Sequence, residues 1–394
     1  MLRKKLEVKN GNFLILIHRM FVNGRPKRGG VDIIIDFLLE KNKKIYILEH
    51  SLECNKDSSF KIVERDREDI IKFVKLRFPN PPLRWVVEVF QSVKLIVKSF
   101  KYIPYCIAVD PLNGITAIIL KKLGKVGKIY FHCIDYSENR FGNKLLNRIY
   151  ILLYYFSLRR SNICGVVSKR MMDKFLSAKI PKEKLFYIPN SPLFVKWNID
   201  FRKRNKFDIV ITAVRIDCKT DFEKIIRVLS RLRMNFPLVK LKIIGASEDK
   251  KFLRDLKDNI KKYGVEDCVF FLGFFPEPKD LQQILVNNGI GITAYIPSKA
   301  GHFGFYGDSL KIREYALCGL PIVADDMCST AFEAEEYKCG FVTINEGQMY
   351  MFIKRLLENT ELYEEYSKNA IKWAEKFDKR KILERLLIKL RETS

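Results

Sequence analysis

Histidine is scarce in this chain, with four residues in 394. That scarcity argues against a metal centre built on clustered imidazoles, and the nine cysteines (54, 106, 133, 164, 218, 268, 318, 328 and 339) do not replace them. Their number is odd, none forms a Cys-x-x-Cys pair and most lie in apolar segments, so they read as reduced core residues rather than a disulfide framework or zinc site. Long apolar runs are missing too. The runs at 13–17 and 149–156 fall well short of the ~20 residues of a membrane span. The basic N-terminus precedes an apolar run shorter than the roughly 7–15 residues of a secretory h-region, and no small-residue cleavage site follows. A cytoplasmic protein is therefore expected. No G-x-G-x-x-G follows a strand: Gly301, Gly304 and Gly307 have the wrong spacing and place, which disfavours a nicotinamide oxidoreductase. Neither an internal repeat nor a low-complexity tract is present.

The composition is that of a folded protein, 47% hydrophobic and 30% charged, long enough for about two to three domains. The net charge of +26 is uneven: residues 1–200 hold 38 Lys and Arg against 18 Asp and Glu. Such a field suits phosphate-rich partners, whether nucleic acid, anionic lipid or a lipid-phosphate substrate, and equally suits mere solubility. A nucleic-acid module would need aromatics on a basic sheet or a recognition helix, and the sequence has neither.

Short β-branched runs alternate with segments of helical period. In the second half they are 208–214, 241–246, 269–273, 290–295, 321–326 and 341–345; in the first, 13–20, 44–50, 105–110, 128–135, 163–169 and 185–190. This is the pattern of βαβ units with parallel sheets covered on both faces. The fold class is α/β, with two Rossmann-like domains in tandem joined within 190–206. The expected limits are 1–195, 196–375, and a terminal helix at 376–394. Open α/β sheets bind ligands at the carboxyl ends of their strands, so the loops there are where chemistry is sought.

The stretch 307–326, GDSLKIREYALCGLPIVADD, reads as a turn, a helix capped by Asp308 or Ser309, a stop at Gly319 and Pro321, and a buried strand. Ile312, Tyr315 and Ala316 form its buried face. Lys311 and Glu314, three residues apart, share another face. A helix N-terminus with Lys311 can hold phosphate, and a carboxylate one turn inside can accept from paired ribose hydroxyls; a solvated Lys–Glu pair is the plainer alternative.

The string K-x-x-E-Y-A-x-x-G-x-P-I-V-A at 311–324 resembles the donor-binding signature of the family-four type of glycosyltransferases with the GT-B fold. Residues 210–226 resemble that family's first strand-loop-helix of the donor domain, and 269–285 the segment beside the nucleobase. Residues 24–40 resemble the acceptor domain's glycine loop and first helix. Weaker matches lie at 109–117, 128–143, 166–171 and 187–191. The resemblance implies two parallel sheets facing a central cleft, and a retaining, metal-independent hexosyl transfer from a UDP- or GDP-sugar without any cofactor. Glu314 would hold the ribose. Arg215, Lys219 and Lys311 would neutralise the diphosphate, with Leu272 and Gly273 along the base and Gly304, Ser309 and Leu310 at the helix entry. Gly29 and Gly30 match the acceptor-side glycines. The family's earlier Glu is absent, its place taken by Tyr306; His302 or Asp308 is the available substitute, with His302 expected to pack the loop.

On the acceptor side Asp135, at the end of a strand, is the candidate catalytic carboxylate, able to orient or deprotonate a hydroxyl; an N-cap is its alternative. His132, three residues earlier, is expected to be structural. Acceptors of such enzymes are often glycans or lipid-linked. The basic, apolar segments 72–101 and 143–160 suit peripheral contact with the anionic inner face of the cell membrane. The terminal helix at 376–392 is expected to cross back onto the first domain. A nucleotide-sugar epimerase or hydrolase of the same fold remains the alternative enzyme.

Overall fold

The computed structural model describes residues 12–393 except 20, 23, 24, 27, 28, 53–56, 66, 75–80 and 201–203. Part of the basic segment 72–101, and Cys54, therefore lie outside the described residues, as does the side chain of His302. The chain divides into two compact units, Met1–Ile188 with Ile382–Ser394, and Pro189–Lys381.

The first unit contains β1 (Phe13–Arg19), β2 (Phe21–Val22), β3 (Arg25–Pro26), β4 (Ile45–Ser51), β5 (Ser58–Glu64), β6 (Arg67–Val74), β7 (Ile103–Val109), β8 (Val126–Cys133), β9 (Ile163–Val166) and β10 (Leu185–Tyr187). All but β2 and β3 form one sheet in the order β10-β9-β8-β7-β1-β4-β5-β6. The six strands expected from the sequence are its parallel part. The antiparallel β5 and β6 extend it at one edge. Their sequence, KIVERDREDIIKFV over 61–74, is heavily charged and lacks an apolar run, which is how a solvated edge avoids pairing with another chain. Residues Ile382 onward of the helix Lys379–Glu392 belong to this unit, where Glu384 pairs with Lys41 at 2.9 Å and the Arg391 carbonyl accepts from Lys128 Nζ at 2.6 Å.

The second unit holds β11 (Asp208–Arg215), β12 (Lys240–Ala246), β13 (Val269–Gly273), β14 (Ile290–Thr293), β15 (Ile322–Asp325) and β16 (Gly340–Thr343). They form an all-parallel sheet in the order β13-β12-β11-β14-β15-β16. The core strands are buried on both faces, so they read as continuous β-branched runs. The helix Phe222–Arg233 shows how its cover forms: Asp221 caps it by accepting from Lys224 N at 3.0 Å. Ile225, Ile226, Leu229 and Leu232 fall on one side and are buried, each worth roughly 1.5–3 kcal/mol.

Each sheet reverses its winding at one point, between β1 and β7 in the first and between β11 and β14 in the second. At such a switch the loops from the two carboxyl ends part in opposite directions and leave a crevice.

Candidate functional site

At the switch point of the second sheet the loops after β11 and β14 are tied together. Ile296 N donates to Lys219 O at 2.9 Å, Asp221 N to Ala294 O at 3.0 Å, and Thr220 bridges to Tyr295. Lys219 is thereby fixed beside Tyr295. From the next helix, Leu310–Leu317, the Lys311 ammonium lies 4.9 Å from the centre of the Tyr295 ring. Burial lowers the pKa of Lys311, opposed by Tyr315, Cys328 and the carboxylates of Asp217 and Asp325. Glu314, one turn along, is pushed by burial up to about 7. Asp325, at the end of β15, is pushed up to about 6 by burial, while the Tyr295 N–H it accepts and Lys224, 3.9 Å away, act the other way. Lys311, Ser309, Asp325 and Lys224 thus gather around Tyr295, with the backbone of Lys219 tied beside it, while Leu310 and Glu314 share the helix of Lys311. Tyr295, Asp325 and Lys224 were not read as site residues from the sequence, although Tyr295 and Asp325 fall within the runs 290–295 and 321–326 expected to be strands. Arg215 ends β11 and is exposed, 4.0 Å from Glu248. Leu272 and Gly273 end β13, the edge strand two places from β11.

The helix Leu310–Leu317 has the expected limits, and Gly319, in the left-handed region at φ +66, turns the chain after it. Its N-cap is Ser309, which makes no side-chain cap bond. The glycines 301 and 304 do not lie in a loop. Residues Pro297–Tyr306 are a helix with Gly304 inside it, bent at Gly301, whose φ of +58 leaves the helical path. Pro297 at its first turn explains why a glycine-rich stretch still coils. Asp308 is not placed to replace the missing carboxylate. Its buried side chain accepts from Arg313 Nε at 2.9 Å, Thr330 Oγ1 at 2.6 Å and Asn190 N at 2.6 Å.

In the first unit a cavity of about 550 Å³ opens at the carboxyl ends of β1, β7 and β8, and Gly29, Gly30 and Asp135 all line it. Asp135 lies two residues beyond β8; the next helix, Lys144–Arg160, is capped by Asn143, so Asp135 caps nothing. Burial raises its pKa against the opposing Arg140. Gly29 precedes the helix Gly30–Glu40 and donates its N–H to Asp32 Oδ2 at 2.6 Å, while Asp32 Oδ1 takes Arg19 at 2.8 Å. His132 is buried in β8 against the Tyr130 hydroxyl at 2.7 Å, and it too lines the cavity.

Three lining residues went unnoticed in the sequence. His18, near the end of β1, meets Glu88 through Nε2 and Asp110 through Nδ1, both at 2.6 Å. Burial alone would lower its pKa; Asp110 and Glu88 outweigh it and raise it to about 10. The pKa values of Glu88 and Asp110 fall, because the imidazolium outweighs the burial that would raise them. Asp110 has φ +79, a strained value for a side-chain-bearing residue. It is held there by caps to Leu112 N at 3.0 Å and Asn113 N at 3.1 Å as well as by His18. Chemically the two kinds of acid differ: Glu88 and Asp110 are locked to a cation, whereas Asp135 is nearer the range of a general base.

Residues 196–373 match the family model described as glycosyl transferases group 1. The chain is 26% identical over 345 residues to the N-acetylgalactosamine-N,N'-diacetylbacillosaminyl-diphospho-undecaprenol 4-alpha-N-acetylgalactosaminyltransferase of Campylobacter jejuni, covering 84% of this chain and 83% of that one. Among solved structures, HepE of Anabaena in complex with UDP has a TM-score of 0.66 at 16% identity, over 96% of this chain and 99% of its own. Sucrose-phosphate synthase of Thermosynechococcus elongatus has a TM-score of 0.69 at 14% identity, over 97% and 98%. Residues 196–373 are thus similar to the glycosyl transferases group 1, and the fold of the chain is that of the GT-B glycosyltransferases.

Proposed function

We propose that this glycosyltransferase moves a hexosyl group from a UDP- or GDP-sugar to a hydroxyl of a glycan or lipid-linked acceptor, in cell-surface polysaccharide or glycoconjugate synthesis on the cytoplasmic side. The observation that carries the reading is that Lys311 and the desolvated Glu314, three residues apart on one helix, stand at the switch point of the second sheet. The helix N-terminus, Lys311, Lys219 and Arg215 supply positive charge for a departing diphosphate, so that no divalent ion is needed. Glu314 accepts from the ribose hydroxyls. With donor phosphate and acceptor hydroxyl on the same side of the sugar, the phosphate assists the incoming hydroxyl and configuration is retained. Asp135 orients or deprotonates that hydroxyl from the cavity of the first unit. The Campylobacter relative supports a lipid-linked acceptor through the diphospho-undecaprenol in its name, and the UDP complexes of HepE support a UDP-sugar.

The test is thermal stabilisation against UDP-, GDP-, ADP- and dTDP-sugars, since a ligand at 100 times its Kd adds ~2.7 kcal/mol. One nucleotide class is expected to raise the melting temperature; no response to any of them, with a salt-sensitive response to RNA, would overturn the reading. Asp135→Asn is expected to keep that nucleotide response and lower transfer by about 10²-fold. A product that is the donor's own epimer, formed without acceptor, would instead identify an epimerase.

A further inference from the structure

Two helices of the first unit have an apolar face on the wrong side. In Lys144–Arg160 the core side is Tyr150, Tyr154, Ser157 and Leu158, all buried. On the opposite side Leu145, Ile149, Leu152 and Phe156 are exposed, and their spacing of four, three and four residues draws one stripe along the helix. Leu152 is 65% exposed. Pro81–Ser99 repeats the arrangement: Arg84, Glu88, Ser92, Leu95 and Ile96 point inward, while Leu83, Val86 and Phe90 point out, the last two 67% and 65% exposed. Both helices pack on the same third helix, Pro111–Lys122. Stripes of this size on a water-facing surface mark a contact with something apolar.

The charges say what kind. Exposed Lys144, Arg148, Arg159 and Arg160 flank the first stripe, and Lys94 and Lys98 follow the second. The only acid in either helix is Glu88, buried against His18. Apolar rows edged by cations, with no exposed carboxylate, match an acyl boundary beneath anionic headgroups. No helix among the described residues is long and apolar enough to cross a membrane. We propose that the outward faces of Pro81–Ser99 and Lys144–Arg160 lie on an anionic lipid bilayer, with Leu152, Phe156, Val86 and Phe90 entering the acyl boundary. The same helices supply Trp85, Tyr150 and Tyr154 to the cavity wall. On the reading given above, a lipid-linked acceptor would then reach the cavity from the membrane that anchors it.

Flotation of the purified full chain with phosphatidylcholine vesicles, with and without phosphatidylglycerol, tests the docking without reference to catalysis. The chain is expected to float only with the anionic vesicles, and less as salt rises. Leu152→Glu with Phe156→Glu is expected to lower partition at least about tenfold. Arg148→Ser with Arg159→Ser is expected to lower it about tenfold and flatten the salt dependence. Far-UV circular dichroism confirms that the variants, all at exposed positions, stay folded. Failure to float, equal flotation with neutral vesicles, or a folded Leu152→Glu/Phe156→Glu variant that floats like the parent would overturn the proposal. So would a parent dimer that this variant dissociates without losing flotation, which would assign the stripe to a second copy of the chain. Absence of any nucleotide response leaves the flotation result intact and counts only against the transferase reading.

Discussion

Glu314→Gln is expected to abolish nucleotide recognition while making the free protein more stable. Two charge-assisted hydrogen bonds from ribose hydroxyls to a carboxylate are worth roughly 1.5–3 kcal/mol each, so their loss lowers kcat/KM by about 10³-fold. The stability effect has the opposite sign. The carboxyl titrates at an ordinary 4.5 when unfolded and at about 7 when folded. Between those values the folded protein keeps a proton that the unfolded chain has released, so stability falls as pH rises from 4.5 to 7 and stays low above. At pH 8 the ionised, uncompensated Glu314 costs up to ~3 kcal/mol. Glutamine has the same shape and no such cost. Urea unfolding at pH 5 and pH 8 is expected to show the variant gaining on the parent only at the higher pH. Nucleotide is expected to bind the parent more tightly as pH rises through 7, because binding favours the ionised form. An unchanged nucleotide response in the variant, or a loss of stability equal at both pH values, would remove Glu314 from the donor site.

The two sheets were legible because both are mostly parallel and buried, and buried parallel strands leave uninterrupted β-branched runs. The edge pair β5 and β6 escaped for the converse reason, since Lys61, Glu64, Arg67, Glu68 and Asp69 mask its period. The helix carrying Lys311 and Glu314 was legible through its stop at Gly319 and Pro321. The charge between them was not: Arg313, which no pattern singles out, is buried, bonded to Asp308, 3.4 Å from Glu333 and set over the rings of Trp373 and Phe377. A one-dimensional pattern cannot separate a charge paired inside from one facing water, because the partners lie five, twenty and sixty residues away. The same limit hid His18, Glu88 and Asp110. Each sits where functional groups collect on such a sheet, but they come from three distant elements, and only the return of the chain to neighbouring strands joins them.

His18→Gln is expected to be among the most destabilising single changes in the first unit, and to lose most of its effect in alkali. The imidazolium stands between two acids, and Glu88 is nearly inaccessible to solvent. Removing it leaves Asp110 without its cation and Glu88 with only Arg84, 3.9 Å away, a loss of about 3–5 kcal/mol. The pH range follows from the cluster itself. His18 titrates at 6.5 when unfolded and at about 10 when folded, so its contribution is complete below 6.5 and drains away as pH rises towards 10. Glu88 and Asp110, whose folded values are depressed, contribute above their ordinary values and lose that contribution as acid protonates them in the folded state. The deficit of the variant is therefore greatest near pH 6 and smaller at pH 9.5. Neighbouring His50 does not blur this: burial lowers it to about 4, and it stays neutral between the hydroxyls of Ser58 and Ser92 at 2.8 and 3.2 Å. Urea unfolding of parent and variant at both pH values reads the difference directly. Adding Glu88→Gln to His18→Gln is expected to restore part of the loss, because it removes one of the stranded charges. A deficit that is the same at pH 6 and 9.5 would mean that His18 acts by packing alone. The strained Asp110 at the mouth of the cavity would then be held by its caps to Leu112 and Asn113 without help from the ion pair.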